Sequence, residues 1–183
     1  MSPQEVQRIL QRLEAAGHEA YVVGGCVRDM LMGTAPHDWD VTTSARPEQI
    51  LEVFRNERIS PTGLKHGTVT VLLENTPVEI TTYRIGGAYT DGRHPDSVEF
   101  TASLQEGLLR RDFTINAMAY NEAEGLVDPF GGQKDLQNGL LRAVGEPQQR
   151  VTEDALRILR LYRFAARFGF ALAAATARAA RHR

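Results

Sequence analysis

The stretch AYVVGGCVRDMLMGTAPHDWDVTT, residues 20–43, decides how the chain is read. Residues 20–23 are a short apolar run that ends on Gly24 and Gly25. CVRDMLMG follows as a short helical segment closed by Gly33, and DWDVTT again has strand character. The order is strand, glycine turn, helix, strand. In a strand, residues two apart share a face, so Asp38 and Asp40 are expected to point together, with Trp39 and Val41 on the other side. Strands disfavour aspartate, and two carboxylates a few ångströms apart repel each other. A divalent cation between them removes the conflict, and magnesium (Mg2+) prefers hard oxygen ligands of this kind. An edge strand with two solvated acids is the plainer alternative.

A third acid fits the same pattern. Glu79 lies in VEITTYR between Val78 and Ile80, on a strand expected to neighbour the first. Three carboxylates on adjacent strands suit two metal ions and an in-line displacement at phosphorus. On its own, Glu79 is equally an exposed mid-strand acid. Gly24 and Gly25 permit close backbone approach, and the helix they open presents free N–H groups to a phosphate. Arg28, in the first helical turn, is placed to grip a phosphate bidentately, and Asp29 to orient Arg28 or cap the helix.

Outward from this stretch, residues 3–16 form an amphipathic helix with Val6, Ile9, Leu10 and Leu13 on one face and Gly17 as its stop. PEQILEVFR is a helix with proline in its first turn. GTVTVLL and VEITTYR are strands of a hairpin around ENTP. Residues 86–97 are a loop rich in glycine and charge. SLQEGLLRRDFTINAMAY reads as helical with a break near Asp112; DPFGGQKDLQNG is a turn and a short helical piece; LLRAVG is a strand. A helix is expected from Thr152 to about Phe168, with Leu156, Leu159, Phe164 and Phe168 on its apolar side. The mixture argues for an α+β fold with a mixed or antiparallel sheet.

At 183 residues, the chain suits one domain or one domain with an appendage. No apolar run approaches the roughly 20 residues of a membrane span, and MSPQEVQRILQRLEAAG is no signal peptide. Cys26 is the one cysteine, so no internal disulfide forms and a reducing cytoplasm is the expected home. The net charge of −2 conceals an asymmetry, because residues 150–183 carry eight arginines and two acids. That strip is either a solvated helix face or a surface that meets phosphates or RNA. The sequence carries nothing that sets an oligomeric state.

VVGGCVRD and DWDV, with twelve residues between Gly25 and Asp38, resemble the signature of the polymerase-β nucleotidyltransferase superfamily. RRDFTINAMAY, LVDPFGG and TEDALRILRLYRFAARFGF, in that order, resemble the motifs of class II tRNA nucleotidyltransferases, the CCA-adding enzymes, and of bacterial poly(A) polymerases. The resemblance implies a nucleotidyltransferase head over residues 1–138 and the start of a helical neck over 139–183. It implies Asp38 and Asp40 as metal ligands with Glu79 as third carboxylate, and Gly25, Arg28 and Arg111 around the triphosphate. It further implies Asp154 and Arg157 as the pair that reads the base, with Arg160 and Arg163 as further nucleotide-site arginines. Asp154 accepts and Arg157 donates, which matches the amino group and adjacent ring nitrogen of cytosine and adenine alike. A structural i, i+3 ion pair is the alternative for those two.

The implied partners are CTP, ATP and the tRNA 3′ end, with Mg2+ as cofactor and no membrane. The segment YRIGGAYTDGRHPDSVEF resembles the loop of CCA-adding enzymes that helps switch the pocket from CTP to ATP. Poly(A) addition, or addition of only the cytidines or the adenosine, is the alternative within the class. A nucleotide-binding fragment that needs a partner or further domains is the alternative outside it. Family members continue into helical neck, body and tail regions, whereas ALAAATARAARHR ends this sequence, so a truncated, naturally short or designed form is expected.

Overall fold

The structure is a computed structural model and describes residues 3–60, 63–85, 98–145 and 163–181. Its centre is a seven-stranded sheet. The strands are β1 (Ala20–Val23), β2 (Trp39–Thr43), β3 (Arg58–Ser60), β4 (Thr68–Leu73), β5 (Thr76–Thr82), β8 (Ala119–Asn121) and β9 (Gly125–Val127). They lie in the order β3-β4-β5-β2-β1-β8-β9. Every pairing is antiparallel except β2 with β5, which is parallel. Two small ribbons complete the strands: β6 (Arg84–Ile85) with β7 (Glu99–Phe100), and β10 (Leu140–Leu141) with β11 (Ala171–Leu172).

Alternation along the strands divides the sheet into two faces. Val69, Val71, Val78, Ile80, Trp39, Val41 and Val22 turn to one face. They meet α1 (Gln4–Ala15) through Val6, Ile9, Leu10 and Leu13, and α3 (Pro47–Val53) through Ile50, with Phe54 just beyond it. Each such side chain contributes about 1.5–3 kcal/mol on burial, so this layer holds the strand register. The other face carries Tyr21, Val23, Tyr83 and Ala119 against Leu108 of α4 (Leu104–Leu109), together with Ala117 and Val144. A third cluster, Phe113, Ile115 and Leu141, is covered by Leu136 of α5 (Gly132–Gln137) and by Phe164, Phe170 and Leu172. Residues 163–168 are helical (α6), and α7 spans Ala174–Arg181.

Several expected boundaries move. The β4–β5 turn is only Glu74–Asn75, both at positive φ, which is the two-residue turn whose twist suits a hairpin. Thr76 and Pro77 therefore belong to β5. Thr76 faces Leu73 as the pair flanking the turn, so the Pro77 nitrogen points toward the β2 side, where pairing begins only at Val78. Residues 119–121 form strand β8 rather than the end of a helix, preceded by a single 3-10 turn at Thr114–Asn116. Ala119 and Asn121 are buried and Tyr120 is half-buried, but three residues are too few for that alternation to stand out in the sequence. β3 and β9 are additional strands of three residues each, and β10 covers only the first two residues of the expected LLRAVG strand.

The segment before α5 is packed with no spare room. Asp128 accepts from the N–H of Gly132 at 2.7 Å and of Gln133 at 2.9 Å. Thr114 Oγ1 donates to Asp135 at 2.6 Å, and Arg142 Nε donates to the same carboxylate oxygen at 3.1 Å. A Cβ on Gly132 would lie 2.2 Å from the Thr114 carbonyl oxygen and 3.0 Å from Met118 Cγ. The first contact is with backbone and cannot be relieved by a rotamer change. Gly132→Ala is expected to cost about 1–3 kcal/mol through overpacking, read as a lower Tm and a lower urea midpoint than the parent protein.

Candidate nucleotide-binding site

The parallel pairing of β2 and β5 places Asp40 opposite Glu79 in register. Both project from the sheet face opposite the α1–α3 layer, because their neighbours Trp39, Val41, Val78 and Ile80 fill that layer. Asp40 is half-buried and Glu79 is exposed. Burial raises the Asp40 carboxyl, and the negative charge of Glu79, its hydrogen bond and the charge of Asp38 raise it further; Arg111 opposes them. The net result lifts Asp40 from its ordinary 3.8 to about 6.

Asp38 differs from expectation. β2 begins at Trp39, so Asp38 sits in the bend before the strand and is exposed. Its position is not set by the strand alternation that fixes Asp40, although its charge reaches Asp40. Among the described residues, no three His, Cys, Asp or Glu side chains stand close enough together to form a ready metal-ligand set. The donors around Asp40 are hard carboxylate oxygens under mutual repulsion, and that chemistry suits a divalent cation.

The glycine turn lies at the end of β1, beside β2. Gly24 adopts φ 83° and ψ −136°, a conformation open to glycine and strained for other residues. It precedes α2 (Gly25–Leu31), and its N–H donates to the Met118 carbonyl at 3.2 Å. The absent side chains make room for two guanidinium groups. A Cβ on Gly24 would lie 2.9 Å from Arg111 Nη1, and one on Gly25 would lie 3.2 Å from Arg28 Nη2. The turn therefore brings Gly24, Gly25, Arg28 and Arg111 together next to the carboxylates.

Arg28 is buried, at 7% exposure, so its positive charge needs partners. Its Nε and Nη2 donate to Asp29 Oδ1, both at 3.1 Å, and Nη1 donates to Asn116 Oδ1 at 2.8 Å. Asn116 Nδ2 in turn donates to Asp112 Oδ1 at 3.3 Å, and that oxygen also accepts from the Phe113 N–H at 2.8 Å. Asp29 thus orients Arg28. Asp112 and Asn116 were not among the residues expected here. The signal was present in RRDFTIN, where an acid and an amide stand four apart beside Arg111, but the segment's short 3-10 turn hides it from helical or strand periodicity.

Arg163 is exposed at the start of the described part of α6. Asp154, Arg157 and Arg160, with Thr152 at the start of the expected helix, lie outside the described residues, as does the loop 86–97. Phe164 and Phe168, expected as core residues, also face Arg28: its guanidinium carbon lies 5.6 Å and 5.0 Å from their ring centres. No helix among the described residues is long and apolar enough to cross a membrane.

Comparison with known proteins adds to this geometry. The family described as Poly A polymerase head domain matches residues 20–142. A CCA-adding enzyme of Leuconostoc mesenteroides is 49% identical over 180 residues, covering 97% of this chain and 44% of the relative. One of Geobacillus thermodenitrificans is 47% identical, covering 96% of this chain and 43% of the relative. Among solved structures, the Bacillus stearothermophilus CCA-adding enzyme in complex with CTP superposes with a TM-score of 0.88 at 42% identity. That match covers 98% of this chain and 43% of the other. The Thermotoga maritima CCA-adding enzyme complexed with tRNA superposes with a TM-score of 0.77 at 27% identity, over 99% of this chain and 42% of the other. The chain thus spans less than half the length of these relatives.

The raised Asp40 carboxyl has a consequence for stability. The folded protein favours the protonated form, so the stability it gains is fully present below pH 3.8 and is lost as pH rises through about 6. Asp40→Asn is expected to match the parent protein at pH 3.5–4. Above about pH 6.5 the variant should be more stable by about 1–3 kcal/mol, the upper end being reduced by solvent at the half-buried carboxyl. Urea unfolding across pH 4–8 measures the difference; parallel pH profiles for the two proteins contradict the crowding of these carboxylates.

Proposed function

The chain belongs to the Poly A polymerase head-domain family, and from that membership we propose that it adds C and A nucleotides from CTP and ATP to the 3′ end of tRNA. The reaction is template-independent, and pyrophosphate leaves. One observation carries the reading: the register that sets Asp40 beside Glu79, next to a glycine turn holding Arg28 and Arg111. Relatives bearing the name CCA-adding enzyme, one of them solved with CTP, favour C and A addition. Poly(A) addition is the second reading, favoured by the name of the matching family.

In this proposal Asp38 and Asp40 hold Mg2+, with Glu79 as the third carboxylate. A bound divalent cation supplies positive charge to the triphosphate and makes the attacking 3′ hydroxyl more acidic. The chain's own residues do the rest. Gly24 and Gly25 let the triphosphate approach the backbone closely. Arg28 and Arg111 meet its negative charge, and Arg28 arrives already oriented by Asp29 and Asn116. The carboxylates hold the metal and the arginines balance the triphosphate charge, so that a nucleotide is held ready for the hydroxyl it reacts with. Asp154 and Arg157 read the base edge, with Arg160 and Arg163 as supporting cations. Residues 1–138 serve as the head and 139–183 as the start of the neck. A cytoplasmic location accords with a tRNA substrate and a single cysteine.

The test is incubation with tRNA lacking its 3′ end, with each nucleotide separately and together, in Mg2+, followed by sequencing of the product ends. Ordered CCA supports the proposal; an adenosine tail supports the second reading; no extension under any condition removes both. Asp40→Asn and Glu79→Gln should each reduce transfer by at least about a hundredfold while retaining a cooperative melt. Asp154→Ala should narrow the preference for CTP over UTP by a factor corresponding to about 1–3 kcal/mol, with a smaller change in overall nucleotide affinity. A destabilised Asp154→Ala protein with its CTP-to-UTP ratio of kcat/KM intact would reduce that residue to an ion-pair partner.

A further inference from the structure

Arg28 is contacted by two kinds of group, polar acceptors and aromatic rings. In the plane of the guanidinium, Asp29 and Asn116 take three of its five N–H donors. Its guanidinium carbon also lies over the rings of Phe164 and Phe168, 5.6 Å and 5.0 Å from their centres. The two phenylalanines are four residues apart on α6 and so share one face of the helix. Their rings stack at 5.7 Å with an interplanar angle of 19°. Phe164 is fixed from below by an edge contact with Phe113 at 5.5 Å and 72°, and Phe168 from the side by Phe170 at 5.6 Å. The exposed guanidinium of Arg167 also lies 5.0 Å from the Phe168 ring.

This division between acceptors and rings has a chemical meaning. The ring quadrupole attracts the cation without using an N–H donor, and most strongly where water is excluded, as at the buried Arg28. The donors not taken by Asp29 and Asn116 therefore stay in the plane for a ligand. The rings also remove rotational freedom from the guanidinium before any ligand arrives, which lowers the entropy lost on binding. Phe113, Phe170 and the rest of the third apolar cluster add nothing to the phosphate side directly; they hold the two rings where Arg28 needs them.

We propose that Phe164 and Phe168 are positioning residues for the Arg28 guanidinium, which makes triphosphate affinity at the glycine turn depend on the docking of α6. The proposal rests on the nucleotide-site reading above. It gives residues 152–168 a double role, because the sequence that carries Asp154 and Arg157 also carries the clamp that sets Arg28.

The experiment uses the full chain and two probes, CTP and inorganic tripolyphosphate. Phe168→Leu keeps an apolar side chain and removes the ring; Phe168→Tyr keeps the ring. Phe168→Leu is expected to weaken both probes by about three- to tenfold, with Phe168→Tyr near the parent value. In an Arg28→Met background, Phe168→Leu should add little, because the residue through which it acts is gone. The Arg28 Nε–H resonance supplies a readout independent of binding: ring currents displace it in the parent protein, and Phe168→Leu moves it back. Phe164→Leu carries the same measurements if Phe168→Leu does not fold. Unchanged probe affinity in a folded Phe168→Leu or Phe164→Leu protein overturns the clamp, and so does an equal loss with Arg28 present or absent. A parent protein without affinity for either probe instead overturns the nucleotide-site reading on which the clamp depends.

Discussion

The parallel pairing of β2 with β5 places two carboxylates side by side on adjacent strands, and much of the structure serves to keep them there. Asp40 gains nothing from this proximity; the negative charge of Glu79 raises the cost of ionising it. The pairing persists because the same two strands bury Trp39, Val41, Val78 and Ile80 on their opposite face against α1 and α3. A one-residue slip in register would turn every one of those side chains out of the core, so the hydrophobic layer fixes the position of the acids. Stability is thus generated on one face of the sheet and used on the other.

The cationic half of the site depends on missing atoms. Gly24 and Gly25 leave room for the guanidinium groups of Arg111 and Arg28, and Gly24 also adopts a backbone conformation that other residues enter only with strain. Arg111 then balances part of the charge around Asp40, while Arg28 is held through Asp29 and Asn116. The third apolar cluster extends this support to the C-terminal part of the described chain. The Ala171 N–H donates to the Gly139 carbonyl at 2.9 Å, Phe113 packs against Phe164, and the ring row ends on Arg28. The proposed binding chemistry and the packing of the third cluster are therefore built from some of the same side chains.

Elements with a long period or a sharp stop were legible in the sequence. α1 shows four buried positions on one face and a glycine just past its end, and β1, α2 and β2 follow in order from the quoted stretch. The short elements were not. β3 and β9 have three residues each, too few for alternation to stand out from chance. Residues 119–121 read as helix because β8 too has only three residues and follows the preceding segment without a break in the sequence. The hairpin was expected, but its turn is two residues rather than four, since paired positive φ values at Glu74 and Asn75 satisfy the strand twist without Thr76 and Pro77.

By itself the sequence determined the kinds of groups present: acids at strand positions, glycines before an arginine-bearing helix, and an arginine-rich end, together with motifs in an order that marks a family. These are local properties, carried by residue type and spacing over a few positions. Only the tertiary structure decided which of them meet. It put Asp40 opposite Glu79 from 39 positions away, left Asp38 in the bend outside the strand, and brought Asn116 to Arg28 across 88 positions. It also turned Phe164 and Phe168 toward a buried guanidinium. Those contacts follow from strand register and packing of the whole core, and no window of sequence contains them, because the energy that sets each one is spread over residues that are distant along the chain.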